Sequence, residues 1–312
     1  KRAIFSGIDR FGGDFRFGIQ TNGTLLDDKA IAFITSRGVG LGLSLDGASA
    51  GVADRTRRTW AGRGMFPQVV RALGKLRGYP NTNVICTVTR ENLRDLTRVV
   101  DFLHALEVPT CMLNPVRCTR PGGRDLKPAD HVLAPQYLKA LDRTHALYRR
   151  TGRKLVVANF ANVLIAILAP TARRLMCDIS PCGGGRSFFA LSARGDLFPC
   201  SEFIGMPGFN GGNLFEGGLE TALASAAFRK VTGRSVDDLT PCRSCAIRHF
   251  CGAPCPAEAC EGTDGGRRPG AFCELYEEQV RYALRLIADG RSDAYLWDGW
   301  EKGTRVAFAA GT

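Results

Sequence analysis

Apolar and polar positions along the first half of the chain alternate between a strand-like and a helix-like period. Residues 16–20, 40–45, 83–88 and 110–113 are short β-prone runs, and each except the last is soon followed by a helical pattern. After the second run come Phe66, Val69, Val70, Leu73 and Leu76; after the third come Leu96, Val99, Val100, Leu103 and Leu106. Both series repeat at i, i+3, i+4 and i+7, the spacing that gathers apolar side chains on one helix face. Regular strand–helix alternation implies right-handed crossovers and an α/β fold with a parallel sheet, open or curled into a barrel. In a barrel, chemistry collects at the C-terminal ends of the strands. The residues there are polar: Gln20, Thr21 and Asn22 before Gly23, Ser44 and Asp46 before Gly47, then Thr87, Thr89 and Asn114.

The second half has a different texture. Residues 119–130 are rich in Gly, Pro and charge and read as a loop. Helices are expected at about 134–151 and 158–168. From Cys177 onward Gly, Pro and Cys dominate with little periodicity, as expected where metal ligation replaces an apolar core. A last helix, at about 274–289, is expected to close that region. The tail beyond it has no clear pattern, and its Trp297 and Trp300 read as packing residues. The expected organisation is 1–155 for the α/β part, 156–176 for a helical linker, 177–290 for the cysteine-rich region and 291–312 for the tail.

Composition narrows the classes. Of 312 residues 45% are hydrophobic and 23% charged, and no apolar run approaches the ~20 residues of a membrane span. The start, Lys1 to Phe5, lacks the apolar core of a signal peptide, so the expected address is cytoplasmic, without a membrane partner. Forty-two Lys and Arg against 30 Asp and Glu give a net charge of +12. No long basic run and no basic–aromatic alternation occurs, so nucleic acid is not an expected partner. An acidic leader peptide is another use of the same charge.

Twelve cysteines change the picture most. Cys86 and Cys111 sit inside apolar strand runs and read as core, while Cys118 falls in a loop near the expected barrel mouth. The other nine lie between Cys177 and Cys273, with Cys242 and Cys245 in a Cys-x2-Cys step, then Cys251, then Cys255. Without a secretory signal, dense cysteine points to metal ligation over disulfides. The spacing suits thiolate ligation of either iron–sulfur clusters or zinc. His249 lies among these cysteines but reads as a neighbour of a site, and His104 as a surface or helix-end residue.

The motifs resemble a family, the radical S-adenosylmethionine (SAM) enzymes with a C-terminal SPASM domain, especially those that modify ribosomally made peptides. Gln20 to Leu26, Ser44 to Gly47, Asp54, Arg57 and Gly62 to Phe66 look like the third and fourth strand motifs of that family. Cys182, Gly195, Cys200, Cys242, Cys245, Cys251, Cys255 and Cys273 follow the seven-cysteine SPASM signature, and Cys177 supplies an eighth. The resemblance implies a (βα)6 barrel, present from its third to its sixth unit, fused to a SPASM domain. It implies two auxiliary 4Fe-4S clusters, one on Cys177, Cys182, Cys200 and Cys255, the other on Cys242, Cys245, Cys251 and Cys273. It further implies SAM contacts by Asn22, Ser44 and Arg57, a short ribosomal peptide as substrate, and an electron donor such as flavodoxin or ferredoxin. Gly183, Gly184 and Gly185 would let backbone N–H groups approach sulfur, and Arg186, Arg194, Arg243 and Arg248 are expected to offset thiolate charge. Cys260 has no place in the signature and reads as a free thiol.

Two departures qualify the resemblance. The Cys-x3-Cys-x2-Cys loop of the SAM-cleaving third cluster and the Gly-Gly-Glu-Pro stretch that follows it in the family do not occur here; Gly12, Gly13 and Asp14 stand too close to Gln20 to replace the latter. The expectation is an N-terminally truncated chain, inactive alone, of a radical SAM peptide-modifying oxidoreductase; a degenerate, non-catalytic iron–sulfur scaffold binding a peptide or partner is the alternative. Cys200 is followed by Ser201 and Glu202, whereas sulfatase-maturing relatives place an Asp proton acceptor there, which argues against formylglycine formation.

Overall fold

The computed structural model describes residues 15–119, 122–253, 255–260 and 272–302. The Gly12-Gly13-Asp14 stretch and residues 303–312 lie outside them. Five parallel strands form one sheet: β1 (Gly18–Thr21), β2 (Gly40–Ser44), β3 (Thr82–Val88), β4 (Thr110–Pro115) and β5 (Val156–Val157), hydrogen-bonded in that order. The register sets Thr21 beside Leu43, Ser44 beside Ile85, Thr87 beside Asn114 and Cys111 beside Val157. Helices α1 (Asp28–Ser36), α2 (Phe66–Lys75), α3 (Leu96–Ala105) and α4 (Asp130–Thr151) join successive strands, and α5 (Ala158–Leu168) follows β5. A sheet whose spatial order equals its chain order never reverses direction, so right-handed crossovers carry all the helices to one face. That is the arrangement of an incomplete barrel.

The expected helices at 66–76, 96–106 and 158–168 match α2, α3 and α5 within a residue, and α4 begins four residues before 134. β5 is the element the periodicity missed, because two residues carry no alternation to read. It extends the sheet past residue 155, so the opening of the expected linker belongs to the barrel.

Residues 177–260 hold little regular structure. A two-stranded antiparallel ribbon, β6 (Ala190–Leu191) with β7 (Leu197–Phe198), precedes two short helices, α6 (Gly218–Leu223) and α7 (Ala226–Thr232). Their apolar content divides into two small clusters, one of Phe198, Phe203, Phe209, Val231 and Ala257, the other of Leu197, Ala222, Ala227 and Phe228. Cys182, Cys200 and Cys255 pack against the first cluster.

The last long helix, α8 (Cys273–Ala288), does not close the cysteine-rich region as the sequence suggests; most of it packs on the barrel. Its Leu275, Val280, Ala283 and Leu286 share one core with Leu41, Leu43, Val84 and Leu113 of the sheet and Phe160 and Leu164 of α5. The Tyr282 hydroxyl meets the Asp142 carboxylate at 2.7 Å and the Tyr295 hydroxyl at 2.7 Å. Beyond the helix, Leu296 is fully buried and the Trp297 indole N–H donates to Thr110 Oγ1 at 3.1 Å. Residues 295–297 are therefore part of the barrel's core, and Trp297 packs as expected. Burying a Leu or Phe side chain contributes about 1.5–3 kcal/mol, so this single large core dominates the stability of the α/β part.

Candidate metal centres and barrel-mouth site

The polar strand ends converge at the C-terminal rim of the sheet. Asn22 and Ser44 each lie one residue past the paired Thr21 and Leu43, on adjacent strands. The side chain of Asn22 is drawn into its own turn, where its Oδ1 accepts from Thr24 N at 3.2 Å and Thr24 Oγ1 at 2.9 Å. Arg57 leans on the buried carboxylate of Asp46, with Nε 2.6 Å from Oδ2 and Nη2 donating to Oδ1 at 3.1 Å. Asp46 also accepts from Thr87 N at 2.8 Å and Thr56 Oγ1 at 3.2 Å, so Arg57 is locked to the ends of both β2 and β3. A cavity of about 260 Å³ lies alongside, lined by Asn22, Thr24, Arg58, Thr59, Trp60 and Met65.

The rest of this motif has a structural explanation. Asp54 Oδ1 accepts from Met65 N at 2.9 Å and Phe66 N at 3.0 Å, satisfying N–H groups at the start of α2. This carboxylate sits so close to Gly64 that a Cβ there would stand 2.0 Å from Asp54 Oδ2. Asp54 and Gly64 therefore act as one device.

The eight cysteines of the signature are brought together in two sets. In the first, Cys177 lies within the electrostatic reach of Cys182 and Cys200, and Cys255 within that of both Cys182 and Cys200. Cys177 opens to solvent on one side, yet the protein packed around its sulfur pushes its thiol up to about 12. Burial raises Cys182 and Cys200 as well, partly offset by backbone N–H donors from Gly184 and Glu202. Gly184 N–H donates to Cys182 Sγ at 3.4 Å, the approach the glycines of 183–185 suggest.

In the second set, Cys242 and Cys245 flank a 3-10 turn closed by Cys245 N donating to Cys242 O at 2.9 Å. Cys251 ends a short helical turn, Arg248–Cys251, and Cys273 opens α8. Burial pushes the Cys251 thiol up to about 12, with Asp178, Cys273 and Cys242 adding to it, while Cys273 is raised by burial and then by Cys242, Asp130 and Cys245. The two sets adjoin: a Cβ on Gly252, directly after Cys251, would meet Ile179 N at 2.6 Å, two residues after Cys177. Asp178 lies between them, its carboxylate accepting from the Tyr276 hydroxyl at 3.1 Å.

Several thiols gathered at mutual charge range, most of them raised by burial, suit a group that replaces their protons with positive metal, since coordination deprotonates a thiol outright. Among the described residues, no three His, Cys, Asp or Glu side chains gather tightly enough to hold a single metal ion. Four thiols in each set are the donors that a thiolate-ligated iron–sulfur cluster takes.

The cation at the first set is not one of the arginines the sequence singled out. Arg186 Nη1 donates to Pro181 O at 3.1 Å and Arg248 pairs with Asp237 at 3.0 Å. Instead Arg117, just past β4, stands in the field of Cys255, Cys177, Glu202 and Tyr276; burial works against its charge and these neighbours outweigh it. Lone arginines have no spacing to betray them, so the sequence holds no signal for Arg117 beyond its place at a strand end. At the second set the cations are Arg234, near Cys242, and Lys127, near Cys273. His249 is exposed beside Asp237, at 4.0 Å. His104, expected at the surface or a helix end, lies in the last turn of α3 but is 5% exposed, with Nε2 at 3.1 Å from Thr151 Oγ1. Cys86 and Cys111 are fully buried, as expected, and the side chain of Cys260 lies outside the described residues.

Residues 182–246 match the SPASM family, an iron–sulfur cluster-binding domain. The chain is 41% identical over 290 residues to an uncharacterized protein of Archaeoglobus fulgidus, covering 93% of this chain and 68% of that protein. It is 23% identical over 275 residues to the cysteine-type anaerobic sulfatase-maturating enzyme of Clostridium perfringens, covering 86% of this chain and 72% of that enzyme. This chain belongs to the radical SAM proteins with a SPASM domain. A third member, mycofactocin maturase MftC of Mycolicibacterium smegmatis, is 29% identical over 244 residues, covering 76% of this chain and 58% of the maturase. The overall fold is shared with native anSMEcpe solved with AdoMet and a Cp18Cys peptide, at a TM-score of 0.78 and 17% identity, over 93% of this chain and 82% of that one. No helix among the described residues is long and apolar enough to cross a membrane.

Proposed function

We propose that this radical SAM/SPASM chain modifies a short ribosomally made peptide and carries two auxiliary 4Fe-4S clusters, on Cys177, Cys182, Cys200 and Cys255 and on Cys242, Cys245, Cys251 and Cys273. The observation that carries the reading is the convergence of these eight thiols into two adjoining sets beside the C-terminal rim of a parallel sheet. Maturase relatives, and a fold neighbour solved with AdoMet and a peptide, support it.

Bound SAM and its reducing cluster would supply a carbon radical that takes hydrogen from the peptide, and the auxiliary clusters an acceptor for the electron left behind. The Cys-x3-Cys-x2-Cys loop for that reducing cluster is not among these 312 residues. A flavodoxin or ferredoxin would deliver the reducing electron.

The chain's own residues hold and orient. Asp46 fixes Arg57 through Nε and Nη2, leaving Nη1 for a carboxylate such as that of SAM, with Ser44 at the end of β2 for a ribose hydroxyl. Asn22 serves its own turn first, so its part at the site is to set the backbone of the loop. With Ser201 after Cys200, an Asp proton acceptor is missing at that position, and formylglycine is not the product proposed.

Anaerobic reconstitution should load about eight irons per chain, two cubanes of four. The double variant Cys242→Ser/Cys273→Ser should lose about half of them and Cys177→Ser/Cys182→Ser the other half. Clearly fewer than eight in the unaltered protein, or an iron count untouched in either variant, overturns the assignment.

A further inference from the structure

We propose that Arg117 is the barrel's charge contact with the first cysteine set and that it holds the reduction potential of the cluster there above the value the same thiolates would give alone. The inference rests on the reading of that set as a 4Fe-4S site.

The geometry begins at the end of β4. Val116 N still donates to Val88 O at 2.9 Å, so the chain keeps the direction of the sheet as it reaches Arg117. The next two residues are fastened to the SPASM domain. Cys118 N donates to Glu258 Oε1 at 3.2 Å, and Thr119 Oγ1 donates to Glu202 Oε2 at 3.4 Å. Glu202 stands two residues after Cys200 and Glu258 three after Cys255. The segment carrying Arg117 is thereby clamped between the two loops that bear these cysteines. Its other side is closed as well, since a Cβ on Gly123 would come within 2.9 Å of Arg117 O.

Charge gives the position its consequence. An all-thiolate cubane is anionic and becomes more so on reduction, so a fixed cation in a poorly solvated place favours the reduced form and raises the potential. The guanidinium keeps its charge across the working range. Other arginines nearby are committed elsewhere: Arg173 donates to Asp178 O at 2.6 Å and His249 O at 2.9 Å, and Arg186 to Pro181 O at 3.1 Å. The second set has its own cations in Lys127 and Arg234. Arg117 should therefore act on one cluster and leave the other alone. It is a positioning residue, offering a link between the mouth of the barrel and the electron acceptor.

The test uses the full chain, reconstituted anaerobically, in a redox titration followed by electron paramagnetic resonance. The unaltered protein with about eight irons validates the underlying reading; if it holds clearly fewer, that reading fails and not this one. With Arg117→Gln, the iron count should stay at the unaltered level while one of the two cluster signals moves to a lower potential and the other stays. Arg117→Lys should return most of the shift. Glu202→Gln, which removes a neighbouring negative charge, should move the same signal upward. Fully loaded Arg117→Gln protein with both potentials unchanged overturns the proposal. If Arg117→Gln instead sheds the irons of the first set, retention in Arg117→Lys supports the charge role, and loss in both variants overturns it.

Discussion

The barrel and the cysteine-rich region fold by different means. Residues of β2 to β5, α1 to α5, α8 and the segment 295–297 bury one continuous apolar core, from Ile31 to Trp297. Residues 177–260 contain only two small apolar clusters among those described, with cysteines packed against one of them. The first region is held by contacts present as soon as the chain collapses, the second by a group the chain must acquire. Such regions couple folding to ligation, and the binding free energy of a structural metal is on the order of 10 kcal/mol.

The most damaging test of this contrast is removal of iron. Chelation should abolish hydrogen-exchange protection across 177–260 while the strands of the sheet and α8 keep theirs; equal protection with and without iron would erase the distinction. Next in size is a cavity on the barrel side. Phe160 is fully buried against Tyr282 and Tyr295, so Phe160→Ala should cost about 3–5 kcal/mol in denaturant unfolding without changing iron content in native buffer. Phe203→Ala, which breaks a ring stack at 4.4 Å in the small cluster near Cys182 and Cys200, should weaken iron retention more than it shifts that unfolding midpoint.

A buried charge pair comes third. Asp46→Ala leaves Arg57 without its partner and Thr87 N–H without its acceptor, a loss of about 3 kcal/mol that calorimetry would read as a lower melting temperature. Gly64→Ala should cost about 1–2 kcal/mol, because the new methyl displaces the Asp54 carboxylate that caps α2. The smallest effect sharpens the contrast through pH. Burial, and then the charge of Arg153, lower the pKa of His104 from 6.5. Below pH 6.5 the unfolded chain therefore binds more protons at this site than the folded one, and stability falls as the pH drops. His104→Gln should flatten that slope on the barrel side; an unchanged slope would show that His104 does not titrate between the two states.

Legibility followed the same division. α2 and α3 were readable because their apolar faces repeat at a local spacing, and the SPASM match because the order of the cysteines is distinctive. Val156 and Val157 were unreadable as a strand because two residues make no pattern. α8 was read as closing the cysteine-rich region because its chain neighbours are cysteines, although its apolar face belongs to the barrel. The helix-end position of His104 was readable, but not that Thr151 and Arg153 cover it.

By itself, the amino-acid order determined the alternation of strands and helices, the polar strand ends and the concentration of cysteines in the second half, since these depend on spacing along the chain. Only the tertiary structure decided that Asp46 holds Arg57, that α8 and Trp297 finish the barrel's core, and that the residues after Arg117 are fastened to Glu202 and Glu258. Those partners are far apart in sequence, and no local period records which distant surfaces will meet when apolar area is buried.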